Sequence, residues 1–310
     1  MSANFYIPFS EIVERTMDLS RSNPDIKQRI RGLVNNVYTQ EIPSKFDWSW
    51  LKNSSAISCV AEHDSGYASV TTQGNTVTLQ SSNIISSAYT GRKVKFDNNP
   101  DIYDVTFSNT TAFTISPVLS GETNVSTGGF TIFKSIYSLP SDFDRFPVNG
   151  GLLSYSAGQP TPLPELIDDD YYEQANASPT STPDYCRLLG YDVDGNLQVE
   201  IIPPPAIPYI ILNEYLRKLS PMKETTAGTI VLTANNTAVS GTSTLFTHAR
   251  TGDYVRADLF GKSVDSTWYR IKTIANDTTL TLSSVFRTDS GYTGTYTICS
   301  APEMPYKFHD

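Results

Sequence analysis

Apolar residues recur at helical spacing only near the start of the chain. Phe9, Ile12, Val13 and Met17 fall on one face, with Ser10 or Asn4 placed to cap that segment. A second helix is expected from Asn23-Pro24, with Asn as the cap and Pro in the first turn, where its missing N–H costs nothing. Ile26, Ile30, Leu33, Val34, Val37 and Tyr38 then form one apolar stripe, and Gln28, Arg29, Arg31, Asn35 and Asn36 fill the other face. Pro43 is expected to end that helix. Phe46, Trp48, Trp50 and Leu51 follow as a cluster that would seal a small helical core.

Beyond residue 62 the period changes to alternation, and the alternating stretches come twice. Asn75-Thr76, Ile84-Ile85, Ala88, Thr90-Gly91 and Val94 match Asn236-Thr237, Leu245-Phe246, Ala249, Thr251-Gly252 and Val255 at a constant offset. Tyr103-Asp104-Val105 matches Tyr269-Arg270-Ile271, Phe113-Thr114-Ile115-Ser116 matches Leu280-Thr281-Leu282-Ser283, and Gly128 to Ile132 matches Gly294 to Ile298. Four blocks in the same order exclude coincidence. Each copy alternates Thr with aliphatic residues between Asn, Gly, Asp and Ser turns, which predicts short strands. In the second copy these are 229–233, 253–257, 268–273, 279–282 and 294–298. About five strands in some seventy residues make a small β-sandwich or barrel.

Between the copies, Leu139-Pro140-Ser141-Asp142-Phe143 reads as an extended entry that can start a helical turn. A loop-rich stretch with Gly150-Gly151, Gly158, Pro160, Pro162 and Pro164 follows. Cys186–Tyr191 and Leu197–Ile202 flank Asp194-Gly195-Asn196 as a hairpin, stopped by Pro203-Pro204-Pro205. Tyr209–Leu216 is the next strand. The expected fold is therefore α+β, mainly β: a helical segment (1–62), β module copy 1 (63–138), a central loop and hairpin region (139–225), β module copy 2 (226–300) and a tail (301–310).

Composition narrows the function. The 310 residues carry a formal charge of −9, against a protein that grips nucleic acid through a broad basic face. Ile201–Leu212, the longest uncharged run near the apolar middle, holds four prolines and is too short to span a bilayer. Residues 1–16 lack the basic and apolar regions of a secretory signal. Cys59, Cys186 and Cys299 are scattered, as are His63, His248 and His309, so buried or half-buried thiols of a reducing compartment are expected rather than a metal site. Glu165 with Asp168-Asp169-Asp170 reads as a solvated acidic loop, and Asp192 to Asn196 as a turn lacking the length and closing Glu of a calcium loop. No GxSxG, phosphate loop, HExxH or Cys–His constellation occurs. Neither catalysis nor a cofactor is expected.

The middle segment, SLPSDFDRF followed by YCRLLGYDVDGNLQVEIIPPPAIPYIILNEYLRKLSPM, resembles the head-to-tail adaptor proteins of tailed bacteriophages. Those proteins open with helices ending near a Trp pair, as Trp48 and Trp50 stand here. The β copies resemble modules of phage neck and tail proteins in Thr251-Gly252, Val255-Arg256, Trp268-Tyr269-Arg270-Ile271 and Thr279-Leu280-Thr281-Leu282. The first copy departs from that pattern, with Asp104 for the Arg and Ile102 for the Trp. Related proteins continue into a helix past the position of Asp310, where this chain stops.

The resemblance implies a structural virion protein in the neck, forming a homo-oligomeric ring between the portal protein and a tail or nozzle protein, with no membrane contact. DNA would pass without sequence-specific binding, and an acidic lining would let it slide. Ile26, Ile30, Leu33, Val37, Trp48 and Trp50 are the expected oligomer or partner interface. The alternative is a tail-fibre or receptor-binding protein whose Trp268, Tyr269, Tyr292 and Tyr296 stack on sugars. A surface adhesin is a weaker third reading.

Overall fold

The computed structural model describes residues 7–20, 27–80, 85–97, 99, 101–119, 125–148, 150–156, 159–166, 181–258, 267–287 and 290–304. Strands hold 46% and helices 15% of the chain, an α+β architecture that is mainly β. Two units emerge: Leu51–Arg217, and Met1–Trp50 together with Lys218–Asp310.

In the first of these, β1 (Lys52–Cys59) precedes six strands: β2 (Tyr67–Val70), β3 (Thr76–Gln80), β4 (Lys93–Phe96), β5 (Ile102–Asn109), β6 (Ala112–Ser116) and β7 (Val125–Phe133). The six close into an antiparallel barrel in the order β2-β3-β6-β5-β4-β7. Closure depends on β7, whose first half pairs with β2 and whose second half pairs with β4. Alternation places Val77 and Leu79 of β3 inside and its Thr and Gln residues outside. Phe96, Phe113, Phe130 and Ile132 fill the centre.

The rest of this unit comprises β8 (Ile136–Ser138), β9 (Phe143–Arg145), β10 (Leu152–Ser156), β11 (Gln159–Pro162), β12 (Tyr185–Tyr191), β13 (Leu197–Ile202) and β14 (Tyr209–Arg217). One sheet runs β1-β14-β10-β11 with β9 also on β14, and a second runs β12-β13-β8. The hairpin forms at its expected place, where Asp192 accepts from the backbone N–H of Asp194 and Asn196 at 2.9 and 2.8 Å, and Gly195 takes φ +80. At Leu139–Phe143 the expected extended entry is followed by one turn and no helix. Phe143 N donates to Pro140 O at 2.9 Å, a single turn leading into β9. Residues 52–59 differ, forming a strand where the helical segment was expected to continue. Half of their sequence is Ser and Asn, with little strand preference, and eight paired residues of β14 impose the conformation.

In the second unit, α1 (Phe9–Ser20) and α2 (Lys27–Asn36) are followed by a π turn at Val37–Glu41 and by α3 (Ile42–Lys45). The expected caps Asn4 and Asn23-Pro24, and Ile26 with them, lie outside the described residues. Pro43 does not end the helical run. The π turn absorbs one extra residue, with Ile42 N reaching Val37 O, and Pro43 then sits in the first turn of α3, where no N–H is required.

The same unit holds β15 (Glu224–Thr225), β16 (Thr229–Leu232), β17 (Ala238–Thr242), β18 (Tyr254–Ala257), β19 (Tyr269–Asn276), β20 (Thr279–Leu282), β21 (Tyr292–Gly294) and β22 (Tyr296–Cys299). Apart from β15, their order β22-β18-β19-β20-β17-β16-β21 repeats that of the first barrel. The strand that closes the first barrel is split here at Thr295 into β22, which pairs with β18, and β21, which pairs with β16, so the ladder of this second, barrel-like module is not closed. β17 is a sixth strand that sequence alternation does not announce, because Gly241 occupies an inward position. The copies align with a slip at their start. Gln73 and Asn235, both at positive φ, are equivalent, so Asn236 corresponds to Gly74 and not to Asn75. Gly91 and Gly252 coincide, both at positive φ and both donating to the middle of the third ladder strand, at Val105 O and Ile271 O.

Candidate functional site

The helices of the second unit pack through Phe9, Val13, Ile30 and Tyr38, all buried. Phe9 N donates to Ser300 O at 3.2 Å, and Ser10 Oγ contacts Cys299 Sγ at 3.7 Å. On α2, Asn35 clasps Met222 in both directions, accepting from its N–H at 2.8 Å and donating to its C=O at 2.9 Å. One turn earlier Arg31 pairs with Glu224. Arg31 and Asn35, on the face opposite the apolar stripe, therefore hold α2 to the segment 222–224.

This rotation decides where the apolar stripe points. Ile30 and Tyr38 turn inward, whereas Leu33 is 58% and Val37 42% exposed. The two line an apolar groove of about 870 Å³, counting space open to solvent. Ile7, Ile12 and Thr16 form its α1 side, Val34, Tyr38 and Ile42 continue the other, and Met222, Pro302 and Met304 complete it. The C-terminal wall is fixed in place: Glu303 N donates to the Tyr38 hydroxyl at 2.6 Å, and Arg250 pairs with Glu303. Asp253 anchors the same wall, accepting from Ala301 N at 3.0 Å and from Arg250 N at 2.8 Å. Burial raises the Asp253 pKa above the ordinary carboxylate value, against the lowering effect of those two N–H groups.

Of the expected interface residues, Leu33 and Val37 come together in the groove, while Ile30 is consumed by the unit's own packing. Trp48 and Trp50 are half-buried with ring centroids 6.5 Å apart, and Trp48 Nε1 donates to Ile42 O at 2.8 Å. Phe46 stacks edge-on against Trp48 at 5.1 Å and stays 65% exposed, so this cluster only partly seals the helical core. Sequence reasoning missed Met222, Pro302 and Met304, which lie nearly two hundred residues or more from α2. Two of the chain's four methionines stand there, and Met suits a surface that must adapt.

Among the described residues, the groove lining is apolar and Tyr38 is its only titratable member. Among the described residues no group of His, Cys, Asp and Glu is arranged to hold a metal ion. The aromatic residues considered for sugar stacking are mostly interior. Tyr269 and Tyr296 are buried, and the Tyr292 hydroxyl is bonded to the carbonyls of Asp258 and Thr295. Trp268 is half-buried, with the Arg256 guanidinium 4.6 Å over its ring. Cys59, Cys186 and Cys299 are unpaired and buried, as expected. No described helix is long and apolar enough to cross a membrane. Protein-family models, curated proteins and solved structures yield no match to this chain.

Proposed function

We propose that the chain is a structural virion protein of a tailed bacteriophage, an adaptor that assembles into a ring between the portal and tail proteins and surrounds the passing DNA. The observation that carries this reading is the exposure of Leu33 and Val37 in an apolar groove built by the helices. Exposed apolar surface gathered in a concave site is characteristic of a docking surface. Two barrels that share strand order and turn glycines rather than reactive groups suit a wall or collar, and the negative net charge suits a channel that does not retain DNA. The neck location itself rests on the sequence resemblance at SLPSDFDRF and the hairpin.

Immunogold labelling of intact particles tests the location, with label expected at the head–tail junction. Label at the tail tip would replace this reading with the fibre reading. Leu33→Asp tests the groove, because the residue is exposed and its replacement leaves the fold intact. Loss of incorporation into particles is expected, and normal incorporation would remove the groove from the assembly.

A further inference from the structure

The sheet β1-β14-β10-β11 has two edges of opposite character. At one, the four-residue β11 carries Pro160 and Pro162, which cannot donate to a further strand. At the other, β1 runs for eight residues without a proline or a register shift, and without a charge after Lys52. Natural sheets defend their edges with short strands, prolines, charges or bulges. The remaining open strands among the described residues comply: β8, β9 and β21 have three residues each, β15 has two, and β12 is bulged and carries Arg187. Only β1 is long and undefended.

Its outward groups can be named. Glu214 donates its N–H to Gly151 O at 3.1 Å, on the β10 side, so its partner Ser54 is not bonded across the β1–β14 ladder. By alternation Asn53, Ser55, Ile57 and Cys59 bond to β14, while Lys52, Ser54, Ala56 and Ser58 turn their N–H and C=O outward. Ser54 N accordingly donates to the Asn53 side chain at 3.0 Å. Among the described residues, 52–59 make no backbone–backbone hydrogen bond outside the β14 ladder. The side chains of Ser54, Ala56 and Ser58 are exposed.

We propose that β1 pairs antiparallel with β1 of a second copy about a two-fold axis centred on Ala56. An edge of this kind accepts an extended strand, and among the described residues the only other long, bare edge is the same strand on another molecule. The prolines of β11 exclude a head-to-tail continuation of the sheet. Residues opposite each other must lie on one face. Centring on Ala56 meets that condition, setting Ser54 opposite Ser58, Ser55 opposite Ile57 and Asn53 opposite Cys59 of the second copy. No charge opposes another, and Lys52 falls beyond the paired stretch. Two-fold pairing closes after two copies, so it describes the chain outside a head-to-tail ring and does not depend on the neck reading.

The test is the mass of the purified full chain in solution, by light scattering across a concentration series. A dimer is expected. Ser54→Lys/Ala56→Lys/Ser58→Lys opposes three like-charge pairs and should weaken dimerisation about a hundredfold, as should the all-Glu counterpart. Mixing the two should restore a dimer holding one chain of each, with circular dichroism confirming that both variants are folded. A monomer at every concentration, a dimer indifferent to the lysines, or a mixture that stays monomeric would each overturn the pairing. Labelling at the neck is read separately, so either proposal can fail alone.

Discussion

Gly241 and Phe246 are fitted to each other: a Cβ at residue 241 would stand 2.9 Å from the tip of the Phe246 ring. In the first barrel the equivalent pair is Leu79 and Ile85, both buried. Cross-strand neighbours complete the exchange. Ala68 lies opposite Leu79, and Ile230 lies opposite Gly241. Each barrel fills one volume with a different division of large and small side chains.

Alanine at this shared position should therefore damage both barrels for opposite reasons. Leu79→Ala leaves a cavity and should lose about 2–5 kcal/mol. Gly241→Ala overpacks against Phe246 and Thr244 and should lose about 1–3 kcal/mol. Urea unfolding of the two variants measures both losses, and a neutral Gly241→Ala would show that the fit is loose.

Ile30 and Leu33 sit one turn apart on α2 and should respond oppositely to the same change. Ile30→Asp places a carboxylate in the helical core and should cost several kcal/mol. Leu33→Asp, on the exposed side, should stay within about 0.5 kcal/mol of the parent. Thermal melting distinguishes them.

Asn35→Ala removes both bonds to Met222 and leaves that backbone N–H and C=O without their partner. A loss of about 1–3 kcal/mol is expected, with faster hydrogen exchange at Met222. Unchanged exchange would mean that Arg31 and Glu224 hold the segment alone.

Acid should affect Asp253 in an unusual sense. Its pKa is raised on folding, so the folded state holds this proton more tightly than the unfolded chain. The stability tied to this group is fully present below the ordinary carboxylate value of 3.8 and is lost as pH rises through the raised folded value. Asp277 is shifted the other way by the Thr247 hydroxyl and N–H, so its contribution is present above 3.8 and fades as pH falls through its lowered value. Asp253→Asn should abolish the first dependence and keep the second, which a series of melting temperatures across the acid range would reveal.

Burial pushes the Cys59 thiol up to about 11 and those of Cys186 and Cys299 to about 12. All three should resist alkylation in the native protein at neutral pH and react together after denaturation, as counted by mass spectrometry.

The sequence made the repeat legible because its signals are local. Turn glycines at 91 and 252, and aliphatic residues on every second position, need no tertiary information. The hairpin around Asp192 was legible for the same reason. β17 was not, since a glycine at an inward site breaks the alternation and its meaning depends on Phe246. The match of Asn75 to Asn236 followed residue identity, whereas the backbone equates the positions of left-handed geometry. β1 was hidden because its conformation comes from β14, and the facing of α2 was hidden because Asn35 and Arg31 are oriented by partners near residues 222–224. Met222, Pro302 and Met304 of the groove lie in the stretch after residue 217, so the helical stripe alone could not locate that wall.

The order of synthesis gives the division of the chain a temporal meaning. Leu51–Arg217 is an uninterrupted stretch, and it can complete its barrel and sheets while later residues are still being added. The helices made before it have no such opportunity. Phe9, Asn35 and Tyr38 bond to residues 300, 222 and 303, so the first helices must wait with their apolar faces unsatisfied until the second barrel has emerged. The apolar groove is therefore the last part of the molecule to exist. A chain cut short within the second barrel would present a finished first unit and no groove.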